Sequence, residues 1–462
     1  MVDELSAATR RALLHRIATG QADGRAPSLV GAVVRDGAPV WVAGRGTVDG
    51  QEPTSDTQYR IGSISKSFVA VLVMRLRDEG RLDLADPLGK HLPGTRPFPR
   101  EIDELRIAEL LAHTSGLASE SAGPWWERTP GQADIAEALG QQPMRLPTGR
   151  QFHYSNPGYG VLGALVERLR GEPWGVVLQH ELLDPLAMTR TTLMPQVPHA
   201  RGWAVHPWAD VVLPEPAEDA RAMAPAGQLW STADDMCRWA AFLAAGNDAV
   251  LGADTLAEMR RPASPIGDEA WTGGYGLGLQ LLRTGGRVLC GHTGSMPGFV
   301  ATVWVSVEER LGGLAFANAT SGPAIGVVAA DLIRIVAEHE PPIPRPWQPA
   351  ADADVDRRLL ELTGLWYWGA HPFALYLRAD RGLELKPLTG AGRGSRFRAE
   401  DDGTWTGRDA YYTGEKLRVI RDADGTVTHL DLGTFVFTRG PYDPAGPVPG
   451  DVDPGGWRGV PR

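Results

Sequence analysis

A serine and a lysine stand three residues apart in the segment IGSISKSF, as Ser63 and Lys66. Lysine is rare in this chain, with four among 46 basic residues, so a lysine at this spacing is notable. A lysine ammonium can lose its proton when it is buried, whereas an arginine guanidinium stays charged inside a protein. The pair therefore suggests a serine nucleophile whose proton is accepted by the neighbouring lysine.

The residues that follow predict the helix that would position this pair. An apolar stripe at helical spacing runs over residues 68 to 76, and Gly80 is typical of a helix end. Residues three apart share one helix face, so the Ser63 hydroxyl and the Lys66 amine would lie within hydrogen-bonding reach. The helix dipole also favours negative charge at that end. The alternative is that Ser63 only caps the helix, as serine often does.

Two later segments carry further polar side chains. HYSNPGYG places Tyr154 and Asn156 just before Pro157, which suits the first turn of a helix, so both side chains would project from a tight loop. CGHTGSMPGF places a His-Thr-Gly run, residues 292 to 294, at the end of a predicted strand. Tyr154 could instead be a core tyrosine with a bonded hydroxyl, and the histidine could be a buried structural residue.

In this order, the Ser-x-x-Lys, Tyr-x-Asn and His-Thr-Gly motifs resemble those of the serine penicillin-binding proteins and class C β-lactamases. LAHTSGL at 111 to 117 and GQLWSTADDM at 227 to 236 are similar to recurring segments of the same family, and the resemblance covers residues 25 to 340. It implies an α/β (α+β) fold of the transpeptidase type, with an antiparallel sheet and a helical part. It also implies chemistry through an acyl-enzyme without a metal or cofactor.

The resemblance assigns a role to each catalytic position. Ser63 attacks an acyl carbonyl, and Lys66 accepts or relays its proton. Tyr154 is the second member of that relay, while Asn156 holds either Lys66 or a substrate amide. The backbone N–H groups of Ser63 and Ser295 are expected to form the oxyanion hole.

His292 departs from the β-lactamase pattern, because β-lactamases carry lysine there. Its charge is expected to vary near neutral pH, so it should hold a carboxylate more weakly. Thr293 and Gly294 are expected to contact the substrate. The departure favours peptidase-like and acyl-transfer members over β-lactamases.

The chain pattern predicts two domains. Apolar runs at 28 to 44 and from 271 to 318 predict an antiparallel sheet built from both ends of the first domain, with a mostly helical insertion between them and a final helix at 323 to 339. The predicted boundaries are a catalytic domain at 1 to 340, a stiff linker at 341 to 349 with five prolines in nine residues, a lipocalin-like all-β domain at 350 to 441 and a disordered tail at 442 to 462.

Composition excludes several classes of function. The 462 residues carry a net charge of -10, which argues against nucleic acid or an anionic membrane surface as a partner. No apolar run is long enough to span a bilayer, and the N-terminal residues lack the pattern of a signal peptide, so a cytoplasmic protein is expected. Cys237 and Cys290 are too few for a disulfide framework or a metal site. The oligomeric state is left open.

Within the family, the chain most resembles the stand-alone penicillin-binding-protein-type thioesterases of nonribosomal peptide biosynthesis. That resemblance implies a cyclase that takes a peptidyl chain with a D-configured C-terminal residue from a thioester on a carrier protein and releases a head-to-tail macrocycle. The alternatives are a cytoplasmic esterase, a D-stereospecific peptidase, and an inactive family member that acts as a binding protein. Trp230 and Arg439 are further candidates for substrate contact, although core packing is an equal alternative for the tryptophans.

Overall fold

The chain forms two compact units, Met1–Pro342 and Ile343–Arg462. This computed structural model describes residues 4–92, 100–266, 272–344, 346–349, 357–390 and 392–442. Each unit has its own buried core, as expected for two domains.

An antiparallel sheet of eight strands forms the centre of the first unit, in the order β2-β1-β12-β11-β10-β9-β8-β7. The N-terminal hairpin therefore pairs with the last strand of the unit, as the sequence pattern predicts. The strands of the first unit are β1 (Ser28–Arg35), β2 (Ala38–Gly46), β3 (Tyr59–Arg60), β4 (Trp203–Val205), β5 (Val212–Pro214), β6 (Trp230–Ser231), β7 (Ser264–Ile266), β8 (Gly273–Tyr275), β9 (Gln280–Thr284), β10 (Arg287–Met296), β11 (Phe299–Ser306) and β12 (Leu311–Ala317).

Helices cover both faces of this sheet. Its two faces pack into separate hydrophobic clusters, one with α1 and α12 and one with the helical part between the strands. The helices are α1 (Ala7–Asp23), α2 (Ser65–Asp78), α3 (Leu88–His91), α4 (Arg100–Asp103), α5 (Ile107–Leu111), α6 (Ile135–Leu139), α7 (Asn156–Arg170), α8 (Trp174–Leu178), α9 (Ala224–Gly227), α10 (Ala233–Ala245), α11 (Ala253–Met259) and α12 (Ile325–His339), with 3₁₀ turns at Gly62–Ile64 and Arg221–Met223 and a π-helical turn at Gln179–Leu183.

Strand β1 shows why the sheet is buried on both sides. Leu29 and Val33 face the α1 and α12 layer, whereas Val30 and Val34 belong to the cluster around the helical part. Successive side chains of a strand point to opposite faces, so a strand covered on both sides needs an unbroken apolar run. The run SLVGAVV meets that requirement.

The second unit contains a closed eight-stranded antiparallel barrel, which confirms the predicted all-β lipocalin-like domain. Trp366, Phe397 and Leu417 are among the buried side chains that fill it. Its elements are α13 (Arg357–Leu360), β13 (Gly364–Trp368), β14 (His371–Leu377), β15 (Leu383–Pro387), β16 (Ser395–Ala399), β17 (Trp405–Gly407), a 3₁₀ turn at Ala410–Tyr412, β18 (Lys416–Arg421), β19 (Val427–Leu432) and β20 (Phe435–Thr438).

The predicted linker and tail are only partly described. Among residues 341 to 349, those described form neither helix nor strand. The predicted tail lies outside the described residues except for Tyr442. None of the described helices combines the length and apolar character that crossing a bilayer requires.

Candidate active site

Ser63 and Lys66 are brought together at the start of α2. Ser63 lies in the 3₁₀ turn Gly62–Ile64, and Lys66 lies in the first turn of the helix. Lys66 Nζ donates hydrogen bonds to Ser63 Oγ at 2.9 Å and to the carbonyl oxygen of Ala226 at 2.6 Å. The Ser63 hydroxyl caps neither the turn nor the helix, since Ile61 and Ile64 hold the cap positions without a side-chain bond. The two predicted residues are therefore paired with each other.

Burial tunes the Lys66 amine for proton transfer. The side chain has no exposed surface, and desolvation lowers its pKa to about 7, while the negative charges of Glu120 and Glu127 act in the opposite direction. Near neutral pH a large fraction of this amine is therefore unprotonated. A neutral amine 2.9 Å from a serine hydroxyl can accept its proton.

Tyr154 reaches the same hydroxyl from the loop before α7. Ser155 caps this helix, with its Oγ accepting from the N–H of Gly158 at 3.1 Å, and Pro157 occupies the first turn. The Tyr154 side chain lies beside Ser63, and burial raises its pKa above the usual value. The phenol therefore stays protonated near neutral pH and can supply a proton.

Asn156, the first residue of α7, turns its amide towards an acidic side chain. Its Nδ2 donates to Glu120 Oε1 at 2.8 Å, whereas Oδ1 is buried and has no partner within the described residues. Of the two predicted roles, holding Lys66 is not seen, because Lys66 Nζ donates to Ser63 and Ala226 instead. The free Oδ1 is compatible with binding a substrate donor.

The two backbone segments expected to form the oxyanion hole are in close contact. Gly62 has φ +54°, and a Cβ atom there would lie 2.5 Å from the backbone nitrogen of Ser295. A Cβ atom on Gly294 would lie 1.9 Å from the carbonyl oxygen of Ile61 and 3.0 Å from the Ser63 nitrogen. Only glycine allows this approach. The N–H groups of Ser63 and Ser295 therefore belong to adjoining backbone segments, as an oxyanion hole requires.

The structure corrects the expected behaviour of His292. The ring is fully buried, with Nδ1 bonded to the carbonyl oxygen of Thr293 at 2.5 Å and Nε2 bonded to the Tyr275 hydroxyl at 2.9 Å. Since a carbonyl only accepts, Nδ1 carries the proton and Nε2 accepts from Tyr275. Desolvation, followed by the charge of Lys66, lowers the His292 pKa to about 3. This lowered pKa contradicts the predicted change of charge near neutral pH and favours a neutral histidine.

Thr293, the second residue of the His-Thr-Gly motif, is held by Gln280 of β9. Both the backbone nitrogen and Oγ1 of Thr293 donate to Gln280 Oε1 at 3.0 Å. Gly294 lies beside the Ser63 segment. The predicted substrate contacts of Thr293 and Gly294 remain predictions.

Trp230 and Arg439 have contacts of another kind. Trp230 is 2% exposed and packs edge-on against Phe299, which leaves no ring surface for a ligand, so its predicted substrate contact is wrong.

Arg439 stacks 3.9 Å from the centre of the Trp366 ring. It donates to the carbonyl oxygens of Glu361, Thr363 and Leu365. These contacts use its guanidinium within the second unit, and a role at the substrate remains a prediction.

Three residues near the site were not assigned a role from the sequence. His113, in LAHTSGL, accepts from the N–H of Ser155 through Nδ1 at 3.1 Å, and its ring lies 4.2 Å from that of Tyr154. It thereby fixes the loop that carries Tyr154, and the LAHTSGL segment was a signal that could have identified it. Glu120 and Glu127 come from an irregular loop without a recognisable pattern.

The remaining candidates for other chemistry are inert. Cys237 and Cys290 are free and buried, and burial raises the pKa of their thiols to about 12 and about 11. In the described ranges no three His, Cys, Asp or Glu side chains group so that they could hold a metal ion.

Comparisons with known proteins agree with this geometry. Residues 13–338 match the family model Beta-lactamase, and residues 355–439 match a domain of unknown function, DUF7586. Penicillin-binding protein 4 of Amycolatopsis lactamdurans is 30% identical over 268 residues, which cover 55% of this chain and 70% of that protein.

Two solved structures extend the similarity. A D-stereospecific amidohydrolase from Streptomyces sp. is 26% identical with a TM-score of 0.59, covering 73% of this chain and 99% of that one. SurE in complex with D-Leu is 25% identical with a TM-score of 0.56, and the match covers 94% of this chain and 100% of the SurE chain. The SurE match therefore includes most of both units.

Proposed function

Because the chain belongs to the Beta-lactamase family, which it shares with penicillin-binding proteins of the serine hydrolase fold, we propose that it is a serine acyltransferase. It takes a peptidyl chain with a D-configured C-terminal residue from a thioester on a carrier protein. It releases the chain as a head-to-tail macrocycle, with hydrolysis as a side reaction. Since carrier-bound peptides are made inside cells, the proposal places the enzyme in the cytoplasm with a carrier protein as a transient partner.

Acylation follows from the Ser63 cluster. The neutral Lys66 amine accepts the proton of Ser63 Oγ as this oxygen bonds to the thioester carbonyl carbon. The resulting oxyanion accepts from the N–H groups of Ser63 and Ser295, each worth about 3 kcal/mol in comparable sites. The carbon–sulfur bond then breaks, and the protonated Tyr154 supplies the proton to the departing thiolate. Tyr154 takes up the proton that Lys66 accepted, so both groups return to their starting states.

Release reverses the direction of proton transfer. A neutral amine of the same peptide attacks the ester carbon, and its proton passes through the Tyr154 and Lys66 pair to Ser63 Oγ. The carbon–nitrogen bond forms as the bond to Ser63 breaks, which leaves a cyclic amide and the free serine. Water in place of the amine gives the linear acid.

The observation that carries this choice of substrate is the complete burial of His292, with both ring nitrogens bonded. Substrates of D,D-peptidases and β-lactamases carry a carboxylate on the leaving-group side, and β-lactamases have lysine at this motif position. A fully buried imidazole with both nitrogens bonded cannot supply that positive charge. A thioester leaving group has no such carboxylate, and this difference favours acyl transfer from a thioester over D,D-peptidase or β-lactamase activity.

The similar structures support the D-configuration. One is described as D-stereospecific, and SurE binds D-Leu in its complex. The same likeness favours the second candidate, a D-stereospecific amidase or esterase that uses the same acyl-enzyme, because the amidohydrolase match covers almost the whole of that protein.

Product analysis separates the two candidates. The protein is incubated with peptidyl thioester mimics that differ only in a D- or L-configured C-terminal residue, with Ser63→Ala as the control. A product 18 mass units lighter than the linear acid, formed only from the D-substrate and lost in the control, is expected from loss of one water. Linear acid alone would reject the cyclase and favour the amidase or esterase.

A further inference from the structure

A carboxylate beside the Ser63 cluster has no basic partner among the described residues. Glu120 is exposed, and its two oxygens accept from neutral donors: Oε1 from Asn156 Nδ2 at 2.8 Å and Oε2 from Trp126 Nε1 at 2.9 Å. In the part of the chain that the structure describes, no lysine, arginine or histidine lies within ion-pair distance of it. The two bonds fix the direction of the carboxylate and bring no positive charge to it.

The side-chain oxygen of the neighbouring Asn156 receives no hydrogen bond from the described residues. Asn156 is 7% exposed, and its Oδ1 is buried without a partner among the described residues. The bond from Nδ2 to a carboxylate settles which end of the amide is oxygen, because a carboxylate only accepts. A buried amide oxygen without a hydrogen bond costs free energy, so this position favours a ligand that donates.

The local charge balance favours a cation. Glu127 is a second, partly buried carboxylate whose pKa is raised by burial and by the nearby charge of Glu120. The charge of Glu120 also reaches Lys66 and Tyr154, so the carboxylate lies close to the reacting groups. Lys66 and Arg60 act on the pKa of Glu127 in the opposite direction. Since desolvation keeps much of the Lys66 amine neutral, it offers Glu120 only part of a positive charge.

We propose that Glu120 and Asn156 form a binding site for a protonated amine of the substrate. An ammonium offers three N–H donors, which match the Glu120 carboxylate and the free Oδ1 of Asn156. Identification of this amine as the N-terminal group that closes the ring rests on the proposed function. The α-amine of a D-amino acid amide has the same chemistry and is the second source that the experiment must separate.

The bound amine must lose a proton before it attacks. The ammonium releases one proton to solvent, which gives the neutral amine next to the ester of Ser63. Nitrogen then bonds to the ester carbon, the bond from that carbon to Ser63 Oγ breaks, and the second proton ends on Oγ. The products are one amide, the free serine and one released proton, so atoms and charge balance.

The experiment compares amine-bearing and acetylated substrates in wild type and Glu120→Gln. One arm uses a linear peptidyl thioester mimic with a free or an acetylated N-terminus, and the other uses D-leucine amide or N-acetyl-D-leucine amide. For each variant we measure kcat/KM for the substrate with a free amine and divide it by kcat/KM for the acetylated substrate. A change in the reactivity of Ser63 affects both values equally and therefore cancels in this ratio. We expect Glu120→Gln to reduce this ratio at least tenfold in one arm.

Glu127→Gln is the matched control, because it removes an equal charge that also acts on Lys66 but has no bond to Asn156. Its ratio should stay within about twofold of wild type. Equal ratios in wild type and Glu120→Gln, or an equal fall in both variants, would overturn the ammonium site. If the ratio falls only for the leucine amides and no macrocycle forms, the ammonium site is kept and the cyclase is rejected. If macrocycle formation is unaffected by Glu120→Gln, the cyclase is kept and the ammonium site is rejected.

Discussion

Lys66 Nζ lies 2.9 Å from Ser63 Oγ. Lys66 is fully buried, whereas Ser63 is partly exposed, so the hydroxyl is accessible while the amine is shielded from water. The two groups that flank Ser63 differ in protonation, because burial lowers the pKa of Lys66 to about 7 and raises that of Tyr154. At neutral pH the amine can take a proton and the phenol can give one. From this difference we infer that Lys66 activates the serine and that Tyr154 protonates the leaving group.

Acylation should therefore depend on the Lys66 amine. We expect the acylation rate of Ser63 by a neutral ester to rise with pH to a plateau, with a midpoint near pH 7. Lys66→Arg should lower this rate by about 10³-fold or more, since a guanidinium keeps its proton. Burst-phase kinetics with a chromogenic ester measure this step. A pH-independent rate between pH 5 and 9 would contradict the assignment.

The same residue should leave a signature in stability. The folded pKa of Lys66, about 7, lies below the unfolded value of 10.5, so between these pH values only the unfolded chain binds this proton. The free energy of unfolding of wild type relative to Lys66→Met should rise through this window by up to about 1.4 kcal/mol per pH unit. Below pH 7 the difference should be flat. Urea unfolding at several pH values tests this. If the free energies of unfolding of wild type and Lys66→Met change with pH in the same way, Lys66 is charged in the folded protein.

Gly62 should be intolerant of any side chain. Gly62→Ala would place a Cβ atom 2.5 Å from the Ser295 nitrogen, which forces the two oxyanion-hole segments apart. We expect kcat/KM to fall by about 10²-fold or more, since one lost donor costs that much in related sites. Gly80→Ala is the control, because Gly80 also has positive φ, +71°, but open space around it. Equal activity losses in both variants would mean that backbone strain, and not the contact with Ser295, is responsible.

His292 should stay neutral and keep its proton on Nδ1 across the physiological range. Nitrogen-15 NMR of histidine-labelled protein, with His292→Asn to identify the signal, should show no titration between pH 5 and 8. Tyr275→Phe removes the donor to Nε2 and should lower the free energy of unfolding by about 1 to 3 kcal/mol. A His292 signal that titrates near pH 6.5 would reject the neutral assignment and restore a cation at this position.

Arg439 should contribute to the stability of the second unit. Arg439→Lys keeps the charge but removes the planar fork that bonds to the carbonyl groups of Thr363 and Leu365 and stacks on Trp366. We expect a lower melting temperature, measured by calorimetry. If the melting temperature is unchanged and only substrate affinity falls, the predicted substrate contact is its role.

The sequence predicted those parts of the site that depend on local geometry. Ser63 and Lys66 are three residues apart at a helix start, and the Tyr154 loop precedes a helix with proline in its first turn, so short-range rules were enough. The state of His292 depends on Tyr275, 17 residues away on another strand, and on complete burial. Pairings of this kind are set by the tertiary fold and leave no local pattern.

Glu120 was missed for the same reason. It meets Asn156 across 36 residues of mostly irregular chain, and nothing in its neighbours indicates that contact. The barrel of the second unit was predicted because short alternating strands leave a strong pattern. The buried position of Trp230 follows from its packing against Phe299, which residue type alone could not show.

The most direct test of the account is the intact mass of the protein after brief mixing with a fluorophosphonate and, separately, with a D-configured acyl thioester mimic. We predict one covalent adduct per chain with each reagent, located on the peptide that contains Ser63 and absent from Ser63→Ala. Absence of an adduct, or an adduct that persists in Ser63→Ala, would contradict the assignment of Ser63 as the nucleophile and favour a binding protein that has lost this activity.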